Sequence, residues 1–231
     1  MLVNIESLAA SISTLSGTVI VIDVLRAFST AVVAFQNGVT KIIMVKEVDQ
    51  ALEIQRNGLA DISMGEVDGI KPEGFSFGNS PFELSSAKIT GATVVQSTRA
   101  GTTGVEKVSK AGASTIFAAS LMNASITADV VKLSKCESVN IFAMGAWGTT
   151  RSDEDEQCAL YLRNLLQGRK PNHESVLNLV RVGEEAQKYG DSNQPQYHPK
   201  DLDIALKIDS VDFAIRIEKT DGLLVAKPVK I

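Results

Sequence analysis

Thr18-Val-Ile-Val-Ile-Asp23-Val-Leu-Arg26-Ala-Phe-Ser-Thr-Ala-Val-Val-Ala-Phe-Gln-Asn37-Gly38 decides the class of fold. Thr18 to Ile22 is a short β-branched run without alternation, the pattern of a strand covered on both faces. Ala27 to Asn37 reads as a helix, and Gly38 supplies the left-handed residue that closes it. Lys41-Ile-Ile-Met-Val45 is the next strand, so the chain opens as strand, helix, strand.

The same alternation continues outward. Val48, Ala51, Leu52 and Ile54 put an apolar stripe on a helix over 47–57, stopped by Gly58. Further strands are expected at 61–64, 92–95, 114–117 and 139–142, with helices at 105–111 and 126–134 between them. This predicts an α/β fold, a mostly parallel doubly wound sheet with helices on both faces. The alternation then stops. Two helices at 153–167 and 174–188, a polar loop at 189–199 and a short helix at 201–207 precede a hairpin of Phe213–Ile217 and Leu223–Val225 across Asp221-Gly222. The expectation is one unit over 1–231: a βα core over 1–150 and a helical and hairpin extension over 151–231 packed on it.

Composition narrows the function. The chain has 231 residues, 44% hydrophobic and 22% charged, so it is globular rather than disordered. A chain of 24.7 kDa should expose roughly 10,000 Å² when folded and bury about 70% of its unfolded surface. With 23 basic and 27 acidic residues its net charge is −4, which gives no footprint for nucleic acid or an anionic membrane. Two cysteines, Cys136 and Cys158, make no disulfide framework. No basic leader region and no run apolar enough to span a bilayer stands out, so a soluble, cytoplasmic protein is expected. A homo-oligomer is left open.

In open α/β sheets ligands bind beyond the carboxyl ends of the strands, so the residues that follow each strand are the candidates. Asp23 and Arg26 follow the first. The carboxylate could hold a hard cation and the arginine face an anion, or Asp23 could cap the helix and pair with Arg26. The third strand leads into a loop over 65–81 with four glycines and two prolines among seventeen residues, long enough to be functional. It carries Glu66, Lys71 and Asn79, and Asn79-Ser80-Pro81 is also a plain helix start. Ser97, Thr98, Arg99 and Thr102 precede a helix N-terminus, a pattern suited to an anion cradle or to a simple Ser/Thr turn.

After the sixth strand, Arg151-Ser-Asp-Glu-Asp-Glu156 puts four acids in one helical turn. Such a run stabilises the macrodipole, and Ser152 with Asp155 fits a capping box; alternatively, Glu154 and Asp155 turn inward to a divalent cation. His173 and His198 stand alone, with no zinc-peptidase or serine-hydrolase pattern around them. Pooled, the strand-end acids Asp23, Glu66, Glu154 and Asp155 alternate with the cations Arg26, Lys71, Arg99 and Arg151. Hard oxygen donors without histidine suit Mg²⁺, and magnesium with arginines points to a small, phosphorylated, polyanionic substrate.

These segments resemble the 2-phosphosulfolactate phosphatase family. VIVIDVLRAFSTAVVAFQNG is similar to that family's strand–helix opening and GEVDGIKPEGFSFGNSPFE to its long loop. QSTRAGTTGV, Asn123-Ala124 and MGAWGTTRSDEDEQ match later segments, so the resemblance covers nearly the whole chain. It implies an α/β, Mg²⁺-dependent phosphomonoesterase that hydrolyses (2R)-2-phospho-3-sulfolactate to 3-sulfolactate and phosphate on the route to coenzyme M. On this reading Asp23 with Glu154 or Asp155 would hold the metal. Arg26, Arg99 and the 97–103 amides would stabilise phosphoryl charge, and Glu66 would orient water or bind metal. Lys71 and Arg151 would meet the sulfonate and carboxylate, and Asn79, Ser97, Thr98 and Thr102 would complete the substrate site. The rival expectations are a Mg²⁺ phosphatase of another 2-phospho-2-hydroxy acid and a non-catalytic anion-binding domain.

Overall fold

The β-branched runs pair into a single nine-stranded sheet. The structure is a computed structural model and describes residues 1–231. In chain order the elements are β1 (Leu2–Ser7), β2 (Thr18–Ile22), α1 (Ala27–Gln36), β3 (Lys41–Val45), α2 (Val48–Arg56), β4 (Ile62–Gly65), α3 (Pro81–Ser85), β5 (Thr93–Ser97), α4 (Gly101–Lys110), β6 (Thr115–Ala119) and α5 (Ala124–Leu133). They continue with β7 (Ser138–Ala143), α6 (Asp153–Leu166), α7 (His173–Val182), α8 (Glu184–Gln187), α9 (Pro199–Ala205), β8 (Ala214–Thr220) and β9 (Leu223–Val229). The fold is mixed α/β with a mostly parallel sheet and a C-terminal hairpin, as expected from the alternation.

The strand order is β1-β7-β2-β6-β8-β9-β3-β5-β4. β1, β7, β2 and β6 form one parallel set, and β3, β5 and β4 form another. The β8–β9 hairpin lies between them, antiparallel to β6 on one side and to β3 on the other. It is therefore inside the sheet rather than at its margin, which no local signal in its sequence reveals. The three antiparallel steps reverse the second set relative to the first. Six steps separate β2 from β4 in that order, and at roughly 20–25° of twist each they accumulate about 120–150°. Twist thus offsets most of the reversal, and the carboxyl ends of both sets meet at one place.

What the sheet curls around is α1. Every residue from Ala27 to Phe35 is buried, so this helix is apolar on all sides, as an interior helix must be. Thr30, Val32 and Val33 each lower helix propensity by up to about 0.7 kcal/mol. Full burial of a Val or Phe side chain stabilises by about 1.5–3 kcal/mol, so packing wins over propensity here. Phe28, Val32 and Phe35 share a core with Val19 and Val21 of β2, Ile42 and Met44 of β3, Ile116 of β6, and Val105 and Val108 of α4. Across the sheet, α5 and α6 cover Ile20, Ile22, Phe117 and Ile141, while α2 covers Ile43, Val45 and Val95. The folded chain exposes 10196 Å², close to the value expected from its mass.

Three local expectations change. β1 escapes sequence reading because Asn4, Glu6 and Ser7 dilute an edge strand that is only partly buried. α4 starts at Gly101, a turn earlier than its apolar stripe, because Thr98 Oγ1 accepts the Thr102 N–H at 3.1 Å. The helix expected over 174–188 breaks at Gly183, where a Cβ would lie 2.7 Å from Asp153 Oδ2.

Gly65 closes β4 against β5. Its φ is +149°, and a Cβ there would stand 1.9 Å from the Ser97 carbonyl oxygen, a backbone atom held in the sheet. Gly65→Ala is expected to cost about 3 kcal/mol or more, read as a lower urea midpoint; an unchanged midpoint would contradict the close approach.

Candidate active site

A narrow cleft opens where the two sets of carboxyl ends converge. Asp23, Arg26, Glu66, Gly69, Asn79, Arg99, Gly145, Trp147, Glu185 and Tyr197 are among its lining residues. They come from the ends of β2, β4, β5 and β7, from α8 and from the loop before α9.

Main-chain amides fix the acids. Asp23 Oδ1 accepts the Ala27 N–H at 2.9 Å, and its carboxylate also meets the Gly101 N–H. It therefore sits between the N-termini of α1 and α4, where two helix dipoles favour negative charge. Only glycine allows this approach, because a Cβ at Gly101 would lie 2.9 Å from Asp23 Oδ2. Glu66 accepts the Arg99 N–H on Oε1 and the Gly69 N–H on Oε2, both at 2.8 Å. Asp155 accepts from Val24 N at 2.7 Å and from Gly145 N at 2.8 Å, tying the ends of β2 and β7 together.

Burial makes these charges costly. It pushes the Asp23 carboxyl up to about 7, with the Glu66 charge adding to it. Glu154 is likewise pushed up to about 7 by burial, with Glu185 and Asp23 contributing, and Asp155 is held well above the usual carboxylate range by burial and the Glu154 and Asp23 charges. Crowded carboxylates that resist ionisation are what a cation relieves.

Arg26 is a latch as much as a ligand. It is buried, and its Nη1 donates to Asp201 Oδ2 and to the Gln196 carbonyl, both at 2.8 Å. Nη2 donates to the Gly69 carbonyl at 3.2 Å. Three of its five N–H donors are thus used, and the Tyr197 ring lies 5.1 Å from the guanidinium carbon. Asp201 also accepts from Ser80 Oγ at 2.6 Å and from Phe82 N at 2.9 Å. The arginine therefore pairs with Asp201, not with Asp23, and ties the 66–81 loop and the start of α9 to β2.

Other expected residues are placed as follows. Asn79 is buried at the cleft, and its Oδ1 has no partner. Arg99 is half-exposed at the rim, 3.1 Å from Asp68. The 97–103 segment is not an open anion cradle, because Thr98 and Thr102 bond each other's amides and the Arg99 amide is taken by Glu66. Buried N–H groups need partners, and the chain supplies its own. Ser97 is buried and donates to the Lys46 carbonyl, away from the cleft.

Two cations and two acids depart from expectation. Arg151 is exposed in a two-bond pair with Glu156, and Lys71 is exposed on the loop; neither lines the cleft. Asp155 has both oxygens on main-chain amides, and Glu154 is buried behind the lining residues. Ser152 forms no capping box, since Asp155 is turned to the strand ends instead. Sequence reading misses Asp201, Glu185, Lys188 and Tyr197, because nothing in their local spacing distinguishes them from ordinary helix and loop residues.

No three His, Cys, Asp or Glu side chains form a ready-made metal cage. Mg²⁺ rarely needs one, since it is held by one or two carboxylates, waters and substrate oxygens. Asp23 with the orphaned Asn79 Oδ1 fits that donor set, and Glu66 lines the same cleft. No helix is long and apolar enough to cross a membrane.

A family model described as 2-phosphosulpholactate phosphatase matches residues 5–223. A Bacillus subtilis protein named probable 2-phosphosulfolactate phosphatase is 29% identical over 207 residues, covering 88% of this chain and 87% of its own. One of the same name from Thermoplasma volcanium is 30% identical over 209 residues, 90% and 92% of the two chains. A Thermotoga maritima protein, also so named, is 43% identical over 115 residues. This chain spans about half the length of that relative and of its Thermotoga petrophila counterpart, 48% of each.

Removing Asp201 would leave Arg26 charged and buried without its partner. Asp201→Ala is expected to cost about 3–5 kcal/mol in chemical denaturation, and adding Arg26→Met to recover part of it. Equal losses in the single and double variants would contradict the latch.

Proposed function

The chain belongs to the 2-phosphosulfolactate phosphatase family, and from that membership we propose that it hydrolyses 2-phosphosulfolactate to sulfolactate and phosphate with Mg²⁺ in this cleft. The observation that carries the proposal is the cluster at the strand ends: Asp23, Glu66, Asn79, Arg26 and Arg99 share one small cleft. When bound, Mg²⁺ supplies charge neutralisation at the phosphoryl oxygens and at the departing alkoxide.

Asp23 and Asn79 Oδ1 would hold the cation. The Ala27 amide fixes the Asp23 carboxylate in place, and an amide oxygen that lacks a donor is a natural neutral ligand. Glu66, immobilised by the Arg99 and Gly69 N–H groups, keeps lone pairs free for the attacking water. It takes that water's proton as the new P–O bond forms. The P–O bond to the substrate carbon skeleton breaks, and the proton Glu66 took passes through solvent to the departing alkoxide, which leaves as the alcohol and returns Glu66 to its carboxylate form. Arg99, half-exposed and paired only with Asp68, leaves that surface partner for the phosphoryl oxygens; the two unused N–H groups of Arg26 add positive charge at the floor.

The test is phosphate release from 2-phosphosulfolactate and from 2-phospholactate, with Mg²⁺ or with EDTA. Turnover of the sulfonated ester that EDTA abolishes is expected, and Asp23→Asn and Glu66→Gln should each lower kcat by about 10²–10⁴-fold. Silence of the folded protein on both esters would overturn the proposal.

The titration carries a second expectation. Carboxyls pushed from the ordinary range up to about 7, as at Asp23 and Glu154, bind protons more tightly in the folded state. Their contribution is full at acid pH and is lost as pH rises through about 7. Metal-free protein should therefore melt at a lower temperature at pH 8 than at pH 5.5, and Mg²⁺ should raise Tm more at pH 8. A larger Mg²⁺ effect at pH 5.5 would be inconsistent with carboxylate binding.

A further inference from the structure

A substrate with a phosphate, a carboxylate and a sulfonate needs more positive charge than the floor of the cleft provides. Arg26 is largely committed to Asp201, Gln196 and Gly69, while Lys71 and Arg151 lie elsewhere. Lys188 stands differently. Its side chain is 20% exposed and Nζ is 2.6 Å from Glu185 Oε1. Nζ also lies 5.0 Å from the Trp147 ring centroid and 5.8 Å from that of Tyr197. All three of these partners line the cleft.

The ring faces hold the ammonium by charge and quadrupole without consuming an N–H donor. Glu185 takes one of the three donors. Two N–H groups thus remain. Lys188 is not itself a lining residue, and it differs from Lys71 and Arg151 in that it touches three residues that are: Trp147, Glu185 and Tyr197. Trp147 adopts φ +55° in the tight turn after β7; it is half-exposed and lines the cleft.

We propose that Lys188 reads the sulfonate of the substrate, with Glu185 as the internal anion that occupies the ammonium until the ligand arrives. The inference rests on the phosphatase reading for the identity of the ligand. A sulfonate has three oxygens able to accept the free N–H groups, and its arrival competes with Glu185 for the same cation. Lys188 thus sets specificity for the sulfonated ester, while the phosphoryl chemistry stays with Asp23, Glu66, Asn79 and Arg99.

The experiment compares wild type, Lys188→Met, Lys188→Arg and Glu185→Gln on 2-phosphosulfolactate and 2-phospholactate, with calorimetric binding of 3-sulfolactate and lactate alongside. Lys188→Met should lower the kcat/KM preference for the sulfonated ester about tenfold or more, through KM, and Lys188→Arg should restore most of it. Glu185→Gln should tighten 3-sulfolactate binding, because it removes the competing anion. A purely structural ion pair predicts instead that Lys188→Met and Glu185→Gln weaken binding alike, and that result would overturn the inference, as would an unchanged preference in Lys188→Met. If wild type turns over neither ester, the phosphatase reading fails while binding still decides the role of Lys188: loss of 3-sulfolactate affinity in Lys188→Met alone supports it, and no binding to wild type overturns it.

Discussion

Asp23 has its carboxylate between two helix N-termini, accepting from Ala27 at the start of α1 and meeting Gly101 at the start of α4. The amides that open a helix have no partners inside it, and here they are buried where water cannot serve them. The chain answers with its own acids: Asp23 for α1 and α4, Glu66 for the amides of Gly69 and Arg99, Asp155 for the ends of β2 and β7. This requirement brings the strand ends together and at the same time concentrates negative charge at one point. The cleft is a by-product of satisfying the backbone, and its chemistry follows from the acids used to do so.

The sheet makes that convergence geometrically available. Two parallel sets joined through an antiparallel hairpin run in opposed directions, and in a flat sheet their carboxyl ends would face opposite ways. Twist over six steps, together with the curl around α1, returns them to one side. The hairpin is thus the connector that lets two parallel sets of strands in one sheet share one cleft. Arg26 adds the last tie, because its pair with Asp201 reaches from the end of β2 to α9 and holds the 66–81 loop through the Gly69 carbonyl.

Acids and cations divide the work by depth. At the floor the carboxylates outnumber the free positive charge, which favours a cation over an anion and is the reason the donor set suits Mg²⁺. At the rim the half-exposed Arg99 is paired with Asp68, and beside the lining residues Lys188 is paired with Glu185. Such partners are displaced by an incoming polyanion more readily than the buried Arg26–Asp201 pair, whose rupture would strand a charge.

The order of strands and helices was legible in the sequence because each is a local matter of β-branched runs, apolar stripes and glycine stops. So was the position of Asp23, Glu66 and Arg99 directly after strands, since a strand's carboxyl end is fixed once the strand is recognised. Only the tertiary structure decided the partners. Arg26 and Asp201 are 175 positions apart, and their meeting depends on strand order, twist and the place of the hairpin. The same holds for Lys188, an unremarkable lysine late in a helical stretch that becomes distinctive beside Trp147 and Tyr197. It also holds for Arg151 and Lys71, whose charges are written in the chain but whose directions are not. Local hydrogen bonding and periodicity fix elements; the pairing of charges across the molecule is fixed by which buried groups must find a partner once those elements pack.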